Sequence, residues 1–224
     1  MKKSICFLAF ALAAFFAVAQ DDDSVAVKQT VYLLPAFVDG KVVFKNGAVQ
    51  KASLNYNCLF QQMIFDQNGQ MMAIDNTEAV DTVFIGEQKF IPADTLFFEV
   101  KHSTLPVPLY VLHTCKLKQA EQTKSAYSGV SATGAARDVD LSMYRMSVET
   151  PYRLKLPIEY AVEKTDIFFI KKGNEITRLK NSKQAKNLFP GKETAVKTFL
   201  AEHNTNFTKE PDVQEFIIFV NTLQ

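Results

Sequence analysis

Tryptophan is absent from this chain of 224 residues, although it carries nineteen phenylalanines and seven tyrosines. Stacking surfaces for sugars or bases draw on Trp and Tyr, and no aromatic alternates with a basic stretch along the chain. The phenylalanines therefore read first as core. Excess charge of one sign is also lacking: 25 Lys and Arg stand against 24 Asp and Glu, a formal net charge of +1. A near-neutral chain exerts no global attraction on nucleic acid or an anionic surface. There is no G-x-S-x-G elbow, H-E-x-x-H pair, dinucleotide or P-loop glycine pattern, or EF-hand loop. These absences close the common routes to assigning an enzyme. No catalytic, cofactor-binding or metal-binding residue is assigned.

What is present begins at the N-terminus. Lys2 and Lys3 precede an apolar run over 5–18, and Ala17-Val18-Ala19 supplies small residues before Gln20 and Asp21-Asp22-Asp23. This pattern predicts a secretory signal peptide over 1–19, its apolar run too short to favour a permanent membrane span. Cleavage after Ala19 leaves 205 residues and takes the formal charge to −1. The expected location is exported: periplasm, cell surface or extracellular. Two cysteines remain, Cys58 and Cys115. Export allows a disulfide between them. Two buried thiols fit equally, because the chain is long enough to fold without a staple.

From 25 to about 118 the chain reads as short strands separated by turn signals, over 31–37, 41–45, 48–56, 59–65, 70–74, 82–85, 89–91, 96–100 and 107–117. Asn46-Gly47 is the strongest hairpin signal, and the run Asp66-Gln67-Asn68-Gly69 is another. No helix of a dozen residues separates these strands, so local antiparallel pairing is expected. Residues 119–140 are rich in Ala, Ser, Thr and Gly and predict a flexible loop or linker. Strand signals return weakly over 141–156 and firmly over 166–170 and 175–179. Helices are predicted over 182–188, over 192–203 with Ala195, Val196, Phe199 and Leu200 on one stripe, and after Pro211. There Val213, Phe216, Ile217, Val220 and Leu223 recur at helical spacing. The expected organisation is 1–19 signal, 20–118 meander, 119–140 loop, and 141–224 strand pair plus helices continuous with the same domain. The fold class is α+β: an antiparallel β-meander whose buried face is protected by curling into a roll or open barrel, or by the C-terminal helices.

The order of KNG, a polar strand ending in LNYN, a second NG turn, and then DTVFIGEQKFIP resembles exported Bacteroidetes proteins of uncharacterised function. A Lys-rich hairpin, GKETAVKTFLAEHNTNF and a final apolar helix continue the resemblance. It implies export and a recurring architecture. It implies no activity.

Four constellations were weighed for chemistry. His102 and His113, with Asp94 and Glu99 nearby, have the residue types of a His-His-carboxylate metal site. His113 and Cys115 share a strand face, but no third group orients them as a nucleophile pair. Asp66, Asn68, Asp75 and Asn76 are oxygen-rich, but Asx turns explain them as well as Ca²⁺ does. Lys171, Lys172, Arg178, Lys180, Lys183, Lys186, Lys192 and Lys197 face only Glu175 and Glu193. That run reads as a solvated face or as a site for an anionic partner, such as lipid A phosphates or an acidic surface polysaccharide. His203 is placed at a helix C-terminus. The expected function is a non-enzymatic partner-binding or structural module of the envelope. A small-ligand binder, apolar or glycan, is the alternative, and a hydrolase of unfamiliar type comes last.

Overall fold

Turn chemistry sets the first part of the sheet. The computed structural model describes residues 30–119, 160–172 and 175–223. The predicted signal, the loop predicted over 119–140 apart from Gln119, which ends a strand, and the weak strands over 141–156 lie outside them. At Asn46-Gly47, the Gly47 N–H donates to the Phe44 carbonyl at 2.9 Å, and Gly47 takes φ 83°. Only the glycine is left-handed, so this hairpin closes on a glycine bulge. The tight two-residue turn with both φ values positive is instead Asn68-Gly69, at 56° and 81°.

Among the described residues, ten antiparallel strands form one sheet in the order β10-β9-β8-β7-β6-β5-β1-β2-β3-β4. They are β1 Val38–Phe44, β2 Val49–Asn57, β3 Gln62–Gln67, β4 Gln70–Ala73, β5 Val80–Ile85, β6 Gln88–Ala93, β7 Leu96–Lys101, β8 Leu109–Gln119, β9 Tyr160–Lys172 and β10 Glu175–Arg178. Two meanders, β1–β4 and β5–β10, are joined where β5 pairs with β1. A 3₁₀ turn at Thr77–Ala79 leads back to that junction. At the junction Gly40 is required. A Cβ there would lie 2.3 Å from the Phe84 carbonyl oxygen and 2.7 Å from Leu54 Cδ1. Pro92 sits where β6 has outrun its pairing with β5, so its missing N–H breaks no ladder bond on that side.

The expected strand over 31–37 is not formed. Its only ladder contact is the bridge Tyr32↔Asn57. Pro35 interrupts it, and its backbone groups are taken up irregularly. Asn55 accepts from the Leu34 N–H and donates to the Leu34 and Ala36 carbonyls, each within 3.1 Å. The strand expected over 59–65 begins only at Gln62, because Asn57 Oδ1 caps a turn by accepting from the Leu59 and Phe60 N–H groups. The strand predicted over 166–170 is longer: β9 matches β8 over eleven residue pairs.

The sheet curls without closing into a barrel. Leu54, Tyr56, Met63, Val83, Phe90, Phe97, Cys115 and Val162 meet in one core, so β2 and β3 fold over the inner face of β7–β9. Tyr56 stacks on Phe90 at 5.7 Å, and the Cys115 N–H donates to the Cys58 carbonyl at 3.0 Å across the mouth of the roll. A second core lies further along the same face. There Leu109 and Val111 of β8 and Phe168 and Ile170 of β9 are covered by α1 (Ser182–Leu188), α2 (Glu193–Glu202) and α3 (Glu210–Thr222). Phe216 is fully buried and meets Phe189, Phe199 and Phe207. Both of the devices proposed for protecting the sheet face, curling and covering helices, are therefore used. No helix among the described residues is long and apolar enough to cross a membrane.

Candidate functional site

The two cores share one sheet face, and a line of polar groups divides them. Alternation along β8 places Leu109 and Val111 on the helix side, then His113, then Cys115 and Leu117 inside the roll. Register puts Glu99 of β7 diagonally beside His113, and Asp166 of β9 directly opposite it. His113 Nε2 lies 2.8 Å from Glu99 Oε2, and Nδ1 lies 2.7 Å from Asp166 Oδ1. Burial alone pushes the imidazole's pKa down. The hydrogen bonds and charges of Asp166 and Glu99 outweigh it and raise it to about 9. Both ring nitrogens therefore carry protons at neutral pH and donate to carboxylates.

The network continues outward. Glu99 Oε1 receives Gln88 Nε2 and Lys101 Nζ, each at 3.1 Å, and Lys101 also pairs with Glu210 of α3 at 3.1 Å. Glu210 accepts from Gln214, which meets His102 Nε2 at 3.3 Å. Burial raises the Glu99 pKa, but the His113 hydrogen bond and the Lys101 charge pull it below the usual carboxylate value. The chain of contacts ties the sheet to the last helix.

Several sequence-level candidates are resolved by this geometry. His102 and His113 do not converge: His102 turns at φ 53° toward Gln214, and among the described residues no group of three or more His, Cys, Asp or Glu side chains is arranged to hold a metal ion. Asp94 lies in the β6–β7 turn, where its carbonyl accepts from Thr77 Oγ1. Cys115 and His113 do share a face, and Asp166 is the third group that the sequence did not reveal. The imidazole is nevertheless engaged on both nitrogens and cannot take a thiol proton. Burial pushes Cys115 up to about 11, and burial and then Cys115 push Cys58 up to about 12. Both cysteines are free and buried. Tyr56 meets His113 edge-on at 6.0 Å, and its buried hydroxyl has no hydrogen-bond partner among the described residues. Asp66 Oδ1 accepts from the Gly69 N–H and Asn76 Oδ1 from the Ala79 N–H, so the oxygen-rich loops are turns. His203 ends α2, pairs with Glu215 at 2.9 Å and stacks on Phe199.

The basic run divides. Lys171 pairs with Ile176 and Arg178 with Phe169, which sends these two cations to the outer sheet face. Lys183, Lys186, Lys192 and Lys197 lie on the helical layer against the inner face.

A denser arrangement of cations forms elsewhere on the outer face. Lys51 of β2 lies opposite Lys41 of β1, Lys41 opposite Phe84 of β5, and Phe84 opposite Lys89 of β6. Lys41 Nζ stands 4.6 Å above the Phe84 ring. None of the three lysines is in an ion pair among the described residues. Lys41, Lys51 and Phe84 line an open groove of about 590 Å³ together with Asp39, Ser53 and Gly86, and Lys89 stands at the end of the row beyond it. Consecutive sequence could not reveal it, because each member comes from a different strand. An aromatic does interleave with basic residues here, across the sheet and not along the chain.

No family model, curated protein or solved structure matches the chain.

Proposed function

We propose that the chain is an exported, non-enzymatic binding module of the cell envelope whose partner lies against the outer face of the sheet. The observation that carries this reading is the row of Lys51, Lys41 and Lys89 around Phe84. Lys41 and Lys51 are like charges directly opposite on neighbouring strands, a pairing that destabilises a sheet. Binding an anionic group offsets that repulsion. The double clamp on His113 and the raised thiol pKa values favour a binding role, since neither group is poised for proton transfer or attack. Export rests on the signal pattern over 1–19 and on the resemblance to exported Bacteroidetes proteins.

Gentle cross-linking in an envelope extract, followed by pull-down, tests the binding role. Wild type should retain a partner that the variant K41Q/K51Q/K89Q loses with a melting temperature equal to or above that of wild type. A reproducibly partner-free wild-type monomer would overturn it. N-terminal mass analysis of the exported protein should find Gln20 first.

A further inference from the structure

We infer that the groove beside the lysine row is a binding site for an acidic saccharide, a chain of sugar rings bearing carboxylates. The inference rests on the reading of the outer face as a binding surface and names the chemistry it accepts. Neighbouring strands are about 4.8 Å apart, so the row from Lys51 to Lys89 spans about 14 Å across four strands. That length suits an extended oligomer better than a single small anion. Phe84 lies at the middle of the row, half-buried, and its ring holds Lys41 in place. Lys41 over the ring adds a charge where a ring-borne carboxylate would lie.

Two residues along the same strands from Lys41 and Lys51 the lining changes character. Asp39 and Ser53 are paired across β1 and β2 and line the same groove. A carboxylate and a hydroxyl there accept hydrogen bonds from sugar hydroxyls. That carboxylate repels any polyanion, but a saccharide's hydroxyls donate to it in return and a DNA strand has no ring hydroxyls to do so. Cations with hydroxyl acceptors beside them therefore favour a polyhydroxylated carboxylate over a nucleic acid, which Phe84 and the lysines alone would also accommodate.

Calorimetric titration of the full chain at low salt with an alginate-derived tetrasaccharide, in which every ring is a uronate, tests this. Binding is expected, weakening as salt rises. K41Q/K51Q should weaken it at least tenfold, with a melting temperature equal to or above that of wild type, and Phe84→Leu severalfold. Lys183→Gln/Lys186→Gln, on the helical layer, should leave it unchanged. Asp39→Ala should weaken uronate binding but strengthen binding of a dT oligonucleotide of equal charge. Maltotetraose should not bind. The inference is overturned if the uronate does not bind, if K41Q/K51Q leaves its binding unchanged, or if the oligonucleotide binds as tightly as the uronate. Should K41Q/K51Q/K89Q still lose an envelope partner after the uronate has failed, the binding face stands and only its ligand is wrong.

Discussion

His113 and Glu99 are joined at 2.8 Å on the line where the interior of the roll meets the helix-covered half of the sheet. The imidazolium there is less a reactive group than a positive bridge between Glu99 and Asp166. Its folded pKa is about 9, above the ordinary histidine value, so the stability it adds is complete below about pH 6.5 and is lost as pH climbs through 9. The size of this contribution is on the order of 3 kcal/mol. Glu99 acts in the opposite direction: its depressed pKa adds stability above its ordinary value and loses it as pH falls through the lowered one. Melting temperature should therefore decline between pH 7 and 10. His113→Gln should flatten that decline while costing about 3 kcal/mol, because Glu99 is left buried with less compensation. An identical alkaline decline in the variant would refute the bridge.

Tyr56→Phe should leave stability unchanged or raise it. The ring keeps its stack on Phe90, and a buried hydroxyl without a partner is removed. An unsatisfied buried polar group costs about 1–3 kcal/mol. A clear drop in the urea midpoint would mean that the hydroxyl is paired in solution.

Cys58 and Cys115 should resist thiol reagents in the native state. With pKa values of about 12 and 11, both are thiols at pH 8, and both are buried. Labelling by a charged aromatic disulfide reagent should follow global unfolding and proceed at the unfolding rate. Fast native labelling of either residue would contradict this placement.

Phe216→Ala should cost about 3–5 kcal/mol, because it removes a fully buried ring that three other phenylalanines surround. Denaturant titration of the purified monomer measures this. Unchanged stability would mean that α3 docks on another molecule and does not form part of this core.

The elements legible in the sequence were those whose signals are local. The apolar stripe of α3 and the two NG turns are fixed by residues within a few positions of one another, and their places were readable. The detail of which NG turn is left-handed at both residues was not, since the number of residues between paired positions decides it. The segment over 31–37 has strand composition but is claimed by the Asn55 side chain, a tertiary effect. Asp166 was missed because its meeting with His113 depends on the β8–β9 register, and the two residues are 53 positions apart. The lysine row is hidden for the same reason, since it depends on three separate registers. The basic run was visible but misleading, because a β-strand followed by helices sends its charges to opposite sides of the sheet.

Among the described residues, the strand order ends on β4 at one side and β10 at the other, and each is four residues long. An open sheet normally risks recruiting further copies of itself through the unpaired backbone of its last strand. Very short end strands leave little template for that growth, and β10 also begins and ends on exposed charges, Glu175 and Arg178. Growth of the sheet from edge to edge is therefore disfavoured at both of these ends.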